Sequence, residues 1–263
     1  MSLIICYSSA DWKFGAEQFV KSLPDKVFVK SKPNLKKISF VAHSVGGLVA
    51  RYTIGRLYRP PLVKDSEELK ATIGGLIPVN FITVATPHLE KVAVAIIHWI
   101  FGRTGRHLFL TDNEDGKPPL LKRMLEDYGD LYFMSALRSF HRRVAYANVG
   151  YDHIVGWRTS SIRRNIELPK WEDSVNEKYP HVVYEERCKA YDFEPDLTAG
   201  DNSDDVEEEL VTRLSRVLWE KVDVSFHNSR SRFAAHSVIQ VKDDNLHTDG
   251  ADVIQHMIDH FCL

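Results

Sequence analysis

The chain has 263 residues, 44% of them hydrophobic and 27% charged, with a formal net charge of -2. This composition predicts a single soluble globular domain spanning residues 1–263, and the near-neutral charge argues against nucleic acid as a partner. Three widely spaced cysteines argue against a disulfide framework, and no apolar run approaches the roughly 18 residues of a membrane span. We therefore expect an intracellular, cytoplasmic protein.

The first elements raise a question of topology. The sequence predicts strands at residues 3–7 and 26–30, a helix at 12–23, and a further strand that begins near Lys37. Only about seven residues separate the apolar parts of the second and third strands, whereas a parallel crossover normally needs about a dozen or more. Either these two strands are not parallel neighbours, or a helix between them is missing.

Residues 38–49 carry the clearest chemical signal. A short apolar run ends in a turn with Ala42, Ser44 and Gly46, and a helical apolar pattern follows at once. Strand, tight turn with small flanking residues, and helix form the context of a nucleophile elbow, which holds its serine in a strained conformation. The alternative is an ordinary strand-to-helix loop with a capping serine.

The rest of the chain alternates between strand-like and helix-like segments, which predicts an α/β fold whose mostly parallel sheet has helices on both faces. Strands are expected at residues 80–85, 143–149 and 222–226; helices at 120–140 (broken around 128–130), 210–218 and 253–261. The apolar segment 92–101 is either a buried helix or a lid beside a lipophilic pocket. Residues 163–209 form an insertion of weak periodicity, and its acidic part, 194–209, is interpreted as a solvated loop.

Ser44, Asp152 and His236 occur in the chain order of an α/β-hydrolase triad. Serine is a weak nucleophile until an imidazole takes its proton, and a carboxylate holds that imidazole in the right tautomer. The amide of Val45 is the expected donor to the oxyanion. Taken alone, Asp152 also fits a turn residue or a helix cap.

The histidine is the least determined member of this triad, because the chain has 12. We favour His236, since a flexible loop before it is long enough to bring it over the serine. His227 directly follows the last strand and is the main rival, followed by His247 and by His256, which we place on the polar side of the terminal helix. No cluster of Cys, His or carboxylate residues has the spacing of metal ligands, and hydrolysis by a serine triad needs no cofactor.

Five blocks of sequence resemble the lipase-like α/β-hydrolases of the "putative serine esterase" family, particularly its plant members. They are Ser9-Ala-Asp-Trp-Lys-Phe-Gly, Val41-Ala-His-Ser-Val-Gly-Gly-Leu-Val-Ala-Arg-Tyr, Thr83-Val-Ala-Thr-Pro-His, Gly150-Tyr-Asp-His-Ile-Val-Gly-Trp-Arg-Thr-Ser-Ser and Phe233-Ala-Ala-His-Ser-Val-Ile. The resemblance implies hydrolysis of lipid or other carboxylic esters, with Ser44 as nucleophile, Asp152 as acid and His236 as base. It therefore supports the choice of histidine that spacing alone leaves open.

The chain departs from this family in three places. No His-Gly follows the first strand, the helix before the elbow strand is missing, and Leu89-Glu90 replaces a Gly-containing loop after His88. These departures indicate a shortened member, and losing one oxyanion donor typically costs about 10²–10³ in rate. The alternative function is thus a catalytically impaired or inactive isoform that acts as a binding protein. Whether the apolar segment 92–101 makes a peripheral contact with a membrane or lipid surface is left open by the sequence.

Overall fold

The computed structural model describes residues 2–7, 34–64, 67–89, 120–171, 176–188 and 203–263. The strands are β1 Ser2–Tyr7, β2 Lys37–His43, β3 Tyr58–Arg59, β4 Leu62–Lys64, β5 Glu67–Leu69, β6 Thr72–Ile73, β7 Ile77–Val84, β8 Asp127–Tyr128, β9 Leu131–Tyr132, β10 Arg142–Asn148, β11 Val182–Cys188 and β12 Trp219–Val224. The α-helices are α1 Gly46–Leu57, α2 Leu120–Arg123, α3 Phe133–Ser139, α4 Trp157–Ser161, α5 Ser203–Leu214, α6 Ala235–Val238 and α7 Ala251–Asp259. Short 3₁₀ turns cover Asn165–Glu167, Arg232–Ala234 and Thr248–Gly250.

The main sheet has six described strands in the order β1-β2-β7-β10-β12-β11 and is mostly parallel. β1 pairs with β2 in parallel, from Ser2 opposite Lys37 to Tyr7 opposite Ala42, and β10 pairs with β12 in parallel. β11 runs antiparallel to β12 at the end of this order. The predicted α/β fold class is therefore confirmed.

The chain divides into two compact units. Unit 1 comprises Met1–Phe81, Lys91–Arg142 and Leu263, and unit 2 comprises Ile82–Glu90 and Arg143–Cys262. The single domain expected from length and composition remains a prediction.

The core of unit 1 contains a cluster of three phenylalanine rings. Phe40 of β2, Phe81 of β7 and Phe140 have ring centroids 5.4–6.2 Å apart, and all three side chains are buried. β2 forms because its apolar side chains are buried on both faces, as is usual for a strand inside a parallel sheet. Helix α1 ends at Leu57, ahead of Pro60 and Pro61, which is where the sequence predicts the helix to stop.

The core of unit 2 is formed by side chains from the sheet and from the segments packed on it. Trp219 and Val224 of β12, Tyr146 of β10, and Leu210 and Leu214 of α5 are all buried. Leu210 and Leu214 are one helical turn apart, so they share one face of α5. The helix predicted over residues 210–218 is thus confirmed as far as Leu214, where α5 ends.

The structure answers part of the topological question. In the described sheet β2 lies between β1 and β7 and pairs with β1 in parallel, and residues 8–36 between β1 and β2 exceed the dozen or so that a crossover needs. The predicted helix 12–23, the strand 26–30 and the apolar segment 92–101 lie outside the described residues. None of the described helices is both long and apolar enough to cross a membrane.

One prediction in the insertion is wrong: residues 203–209 are not loop but the first part of α5. The stretch before them, for which the sequence gives no clear element, contains strand β11. The predicted 120–140 helix is also divided, because β8 and β9 form a small hairpin between α2 and α3. The break expected near residue 128 is therefore confirmed.

Candidate active site

Ser44 lies in a strained turn of unit 1. β2 ends at His43, Ser44 has a φ of 57°, and α1 begins at Gly46. Steric clashes keep most residues other than glycine out of this left-handed region, at a cost of about 1–3 kcal/mol, and such strain clusters at functional sites. The strained conformation predicted for a nucleophile elbow is thus present, and Ser44 is buried.

The backbone after Ser44 turns directly into the helix. Val45 has helical angles, with φ -57° and ψ -23°, and its carbonyl accepts from the amides of Leu48 and Val49. The first amides of a helix have no acceptor within it, and they lie at the positive end of the helix dipole. An amide at this position suits a developing negative charge, so the geometry fits the donor role expected for Val45.

Asp152 and His236 are brought together in unit 2. Nδ1 of His236 lies 3.0 Å from Oδ2 of Asp152. The other carboxylate oxygen, Oδ1, accepts from the amides of Ile154 and Val155 at 3.0 and 2.8 Å. Two backbone donors thus fix the carboxylate, and the carboxylate in turn fixes the imidazole.

Asn148 is a further member of this site that the sequence analysis missed. It is the last residue of β10, it is buried, and its Nδ2 donates to Oδ2 of Asp152 at 2.8 Å. The oxygen that faces His236 is therefore also held by an amide. The available signal was weak: an asparagine at a strand end, four residues before an aspartate.

The surroundings of Asp152 keep its carboxyl ionised. Burial raises its pKa, but the hydrogen bond and charge of His236, together with donors from Val155 and Asn148, outweigh burial and lower the pKa below its ordinary value. An ionised carboxylate next to Nδ1 favours the tautomer with the proton on that nitrogen. Nε2 of His236 is then the nitrogen able to accept a proton.

The segment after Asp152 is anchored by a buried ion pair. Nη1 of Arg163 contacts both carboxylate oxygens of Asp223 at 2.9 and 2.7 Å, and Nε1 of Trp157 donates to Oδ1 of Asp223 at 2.7 Å. Arg163 also reaches Glu186 of β11 at 3.0 Å. Trp157 belongs to the sequence block that begins at Gly150, and Arg163 lies just after this block. Their contacts with Asp223 of β12 tie the block to the sheet.

Aromatic and basic side chains cluster around Tyr151, the residue before Asp152 in the chain. Tyr151 has a φ of 60°, and its ring lies 5.5 Å from the rings of both His227 and Phe233. The guanidinium of Arg232 lies over Tyr151 and Phe233, and Phe233 is 65% exposed. The residue that precedes Asp152 thus belongs to an aromatic cluster within unit 2.

The other histidines have different environments. His227, the main rival, contacts the rings of Tyr151 and Trp171, whereas His247 accepts from the amide of Asp243. The placement of His256 on the polar side of the last helix is wrong, because His256 is fully buried and hydrogen-bonds to the hydroxyl of Tyr146 at 2.9 Å. Within the described ranges, no three His, Cys, Asp or Glu side chains are arranged to hold a metal ion.

A mostly parallel α/β fold, a serine at a strained strand-to-helix turn and a histidine-aspartate pair after later strands define an α/β-hydrolase-like protein. Comparison with known sequences gives the family. Residues 5–162, more than half of the chain, match the family described as "Putative serine esterase (DUF676)", and the chain belongs to it. The matched region includes Ser44 and Asp152, whereas His236 lies beyond it.

Three fungal proteins are similar over part of the chain. "Putative lipase ROG1" of Saccharomyces cerevisiae is 34% identical over 157 residues, which cover 56% of this chain and 20% of that protein. "Putative lipase C4A8.10" of Schizosaccharomyces pombe is 32% identical over 142 residues, or 50% of this chain and 17% of its own length. "Putative lipase YDL109C" of S. cerevisiae is 34% identical over 135 residues, which cover 48% of this chain and 19% of that protein. The chain thus spans about a fifth of the length of these relatives.

Proposed function

We propose that this protein is a serine acyl hydrolase that cleaves lipid or other carboxylic esters through Ser44, His236 and Asp152. The observation that carries the proposal is the hydrogen bond from His236 to an anchored, ionised Asp152. The strained turn at Ser44 and the family membership support it. In parallel sheets, functional groups collect at the carboxyl ends of the strands, and all three residues follow such ends.

The first half of the reaction forms an acyl-enzyme. Ser44 Oγ attacks the ester carbonyl carbon while Nε2 of His236 takes the hydroxyl proton. The carbonyl oxygen becomes an oxyanion, which accepts a hydrogen bond from the amide of Val45. The intermediate then collapses, the bond to the alcohol oxygen breaks, and His236 returns its proton to the departing alcohol.

The second half repeats these steps with water. His236 takes a proton from water, the resulting hydroxide attacks the acyl carbon, and Ser44 leaves with the proton from His236. Asp152 stays ionised throughout and stabilises the imidazolium. The products are a carboxylic acid and the free alcohol, so atoms and charge balance without a cofactor.

Fluorophosphonate labelling of the folded full chain tests this proposal. The probe forms a covalent bond only with an activated serine, so we expect one label per chain, located at Ser44 by peptide mass spectrometry. Ser44→Ala is the matched control and should remain unlabelled, with an unchanged circular dichroism spectrum. A folded wild-type chain that takes no label would contradict the proposal and favour the binding-protein alternative.

A further inference from the structure

A cavity of about 600 Å³ lies in unit 2 next to β11 and β12. His181 lines it just before β11 begins, and Ser225, His227 and Asn228 line it just after β12 ends. Trp171 contributes an indole ring. The volume is in the usual range for small-molecule sites, about 300–1,000 Å³.

The described lining combines an indole ring with imidazole, amide and hydroxyl groups. The indole of Trp171 lies against the ring of His227, with centroids 6.4 Å apart. Nδ1 of His181 is held by the carboxylate of Asp252 at 2.8 Å, which fixes the ring and leaves Nε2 as its other hydrogen-bonding atom. The amide of Asn228 supplies both donors and an acceptor.

This mixture matches a polyhydroxylated group better than a charged one. A sugar presents a face of C–H bonds, which packs on an indole, and a rim of hydroxyls, which both donate and accept hydrogen bonds. A phosphate is best matched by guanidinium or ammonium groups, and a quaternary ammonium by several aromatic faces. The described lining residues include no guanidinium or ammonium group; they offer one indole, two imidazoles, an amide, a hydroxyl and the apolar side chains of Pro180 and Val183.

One wall residue of the cavity contacts the residue next to Asp152 in the chain. His227, which forms part of its wall, has its ring 5.5 Å from that of Tyr151, and Tyr151 directly precedes Asp152. An aromatic contact therefore connects a wall residue of the cavity with the residue that precedes Asp152 in the chain. The main rival for the catalytic base thus acquires a different role.

We propose that this cavity binds an uncharged polyhydroxylated group, a glycosyl or glycerol unit, and that this unit is the head group of the ester substrate. The first half of this proposal, the binding of a polyhydroxylated group, is inferred from the cavity alone. The second half, that this group is the head group of the substrate, rests on the proposed hydrolase function. The expected substrate is therefore an ester whose alcohol carries free hydroxyls.

Direct binding tests the first half without requiring catalysis. Saturation-transfer NMR on the full chain would use methyl β-D-glucopyranoside and glycerol as neutral probes, and inorganic phosphate titrations followed by protein NMR shifts as the charged comparison. We expect the glycoside to bind, and Trp171→Ala and Asn228→Ala each to weaken binding about tenfold or more. Ile166→Ala, which alters a 90% exposed side chain in the same unit, is the control and should bind like wild type.

The outcomes separate the alternatives. Glycoside binding without glycerol binding identifies a glycosyl unit, and binding of both identifies a smaller polyol; either result supports the cavity assignment. Failure of both neutral probes, tighter binding of phosphate, or glycoside binding that neither cavity variant weakens would overturn it. Because Asn228 is exposed, its variant does not depend on core packing. A chain that binds the glycoside but takes no fluorophosphonate label would keep the cavity assignment and refute only the hydrolase.

Discussion

His236 and Asp152 are 84 residues apart in the chain, yet Nδ1 of the histidine lies 3.0 Å from Oδ2 of the aspartate. Backbone amides of Ile154 and Val155 hold the other carboxylate oxygen, so the aspartate has little freedom to turn away. This arrangement determines which imidazole nitrogen carries the proton and which can accept one. It is the feature from which the proposed chemistry follows.

Acid should weaken the fold through Asp152. Its pKa is lowered in the folded chain, so as the pH falls the unfolded state takes up the proton first. The stability that this carboxylate contributes is therefore fully present above its ordinary pKa near 4 and is lost as the pH falls through the lower folded value. Urea unfolding at several acid pH values should show a steeper decline in the free energy of unfolding for wild type than for Asp152→Asn. Equal slopes would contradict the lowered pKa.

Asn148 should act as a positioning residue. Asn148→Leu removes the amide that donates to Asp152, so the pKa of Asp152 should rise and the rate of ester hydrolysis should fall about tenfold. The pKa is measured by ¹³C NMR of the carboxyl group, and this readout separates positioning from a general loss of stability. Asn165→Ala, in an exposed 3₁₀ turn, is the matched control. An unchanged pKa of Asp152 in Asn148→Leu would refute the role.

Loss of one partner of the buried Arg163–Asp223 pair should lower the free energy of unfolding more than loss of both partners. Arg163→Met leaves a buried carboxylate without its guanidinium, which we expect to lower the free energy of unfolding by about 3–5 kcal/mol. The double variant Arg163→Met/Asp223→Leu should be less destabilised than this single variant. Chemical denaturation measures both.

An exposed pair provides the comparison. Arg187 and Glu220 also form a salt bridge, but the Arg187 side chain is 73% exposed, so Arg187→Ala should change the free energy of unfolding by less than about 1 kcal/mol. Similar losses for Arg163→Met and Arg187→Ala would show that burial does not govern this interaction.

Two glycines of unit 2 should respond differently to the same substitution. A methyl group on Gly250 would collide with the backbone carbonyl of Val238, so Gly250→Ala should lower the free energy of unfolding by about 1–3 kcal/mol. Gly150 has open space around the same position, so Gly150→Ala should change it by less than about 0.5 kcal/mol. Thermal unfolding of the two variants side by side tests the contrast, and equal melting temperatures would refute it.

Local sequence predicted the turn at Ser44 because all of its determinants lie within about a dozen residues. The apolar run specifies a buried strand, the small residues Ala42 and Gly46 permit the tight turn, and the helical spacing after it specifies α1. The proximity of His236 and Asp152 was inferred from chain order and from the family resemblance. Neither source indicated that Asn148 would hold the same carboxylate.

The error in the insertion has a physical cause. The acidic residues of 194–209, a stretch that includes the first part of helix α5, suggested a solvated loop. In the structure, Arg164 contacts Glu208 at 2.5 Å, and Arg158 contacts Glu207. The basic partners come from a segment distant in sequence, so charge composition in a local window could not reveal them. The burial of His256 was missed for a similar reason, since its partner Tyr146 is 110 residues away.

The most direct test of the central claim compares two histidine variants by their rate of fluorophosphonate labelling at Ser44. His236→Gln should lower the second-order rate constant about 10²–10⁴-fold, because the general base is lost. His227→Gln should stay within about threefold of wild type, since its imidazole belongs to the cavity wall. An unchanged rate in His236→Gln, or a large loss confined to His227→Gln, would contradict the proposal that the Asp152–His236 pair activates Ser44.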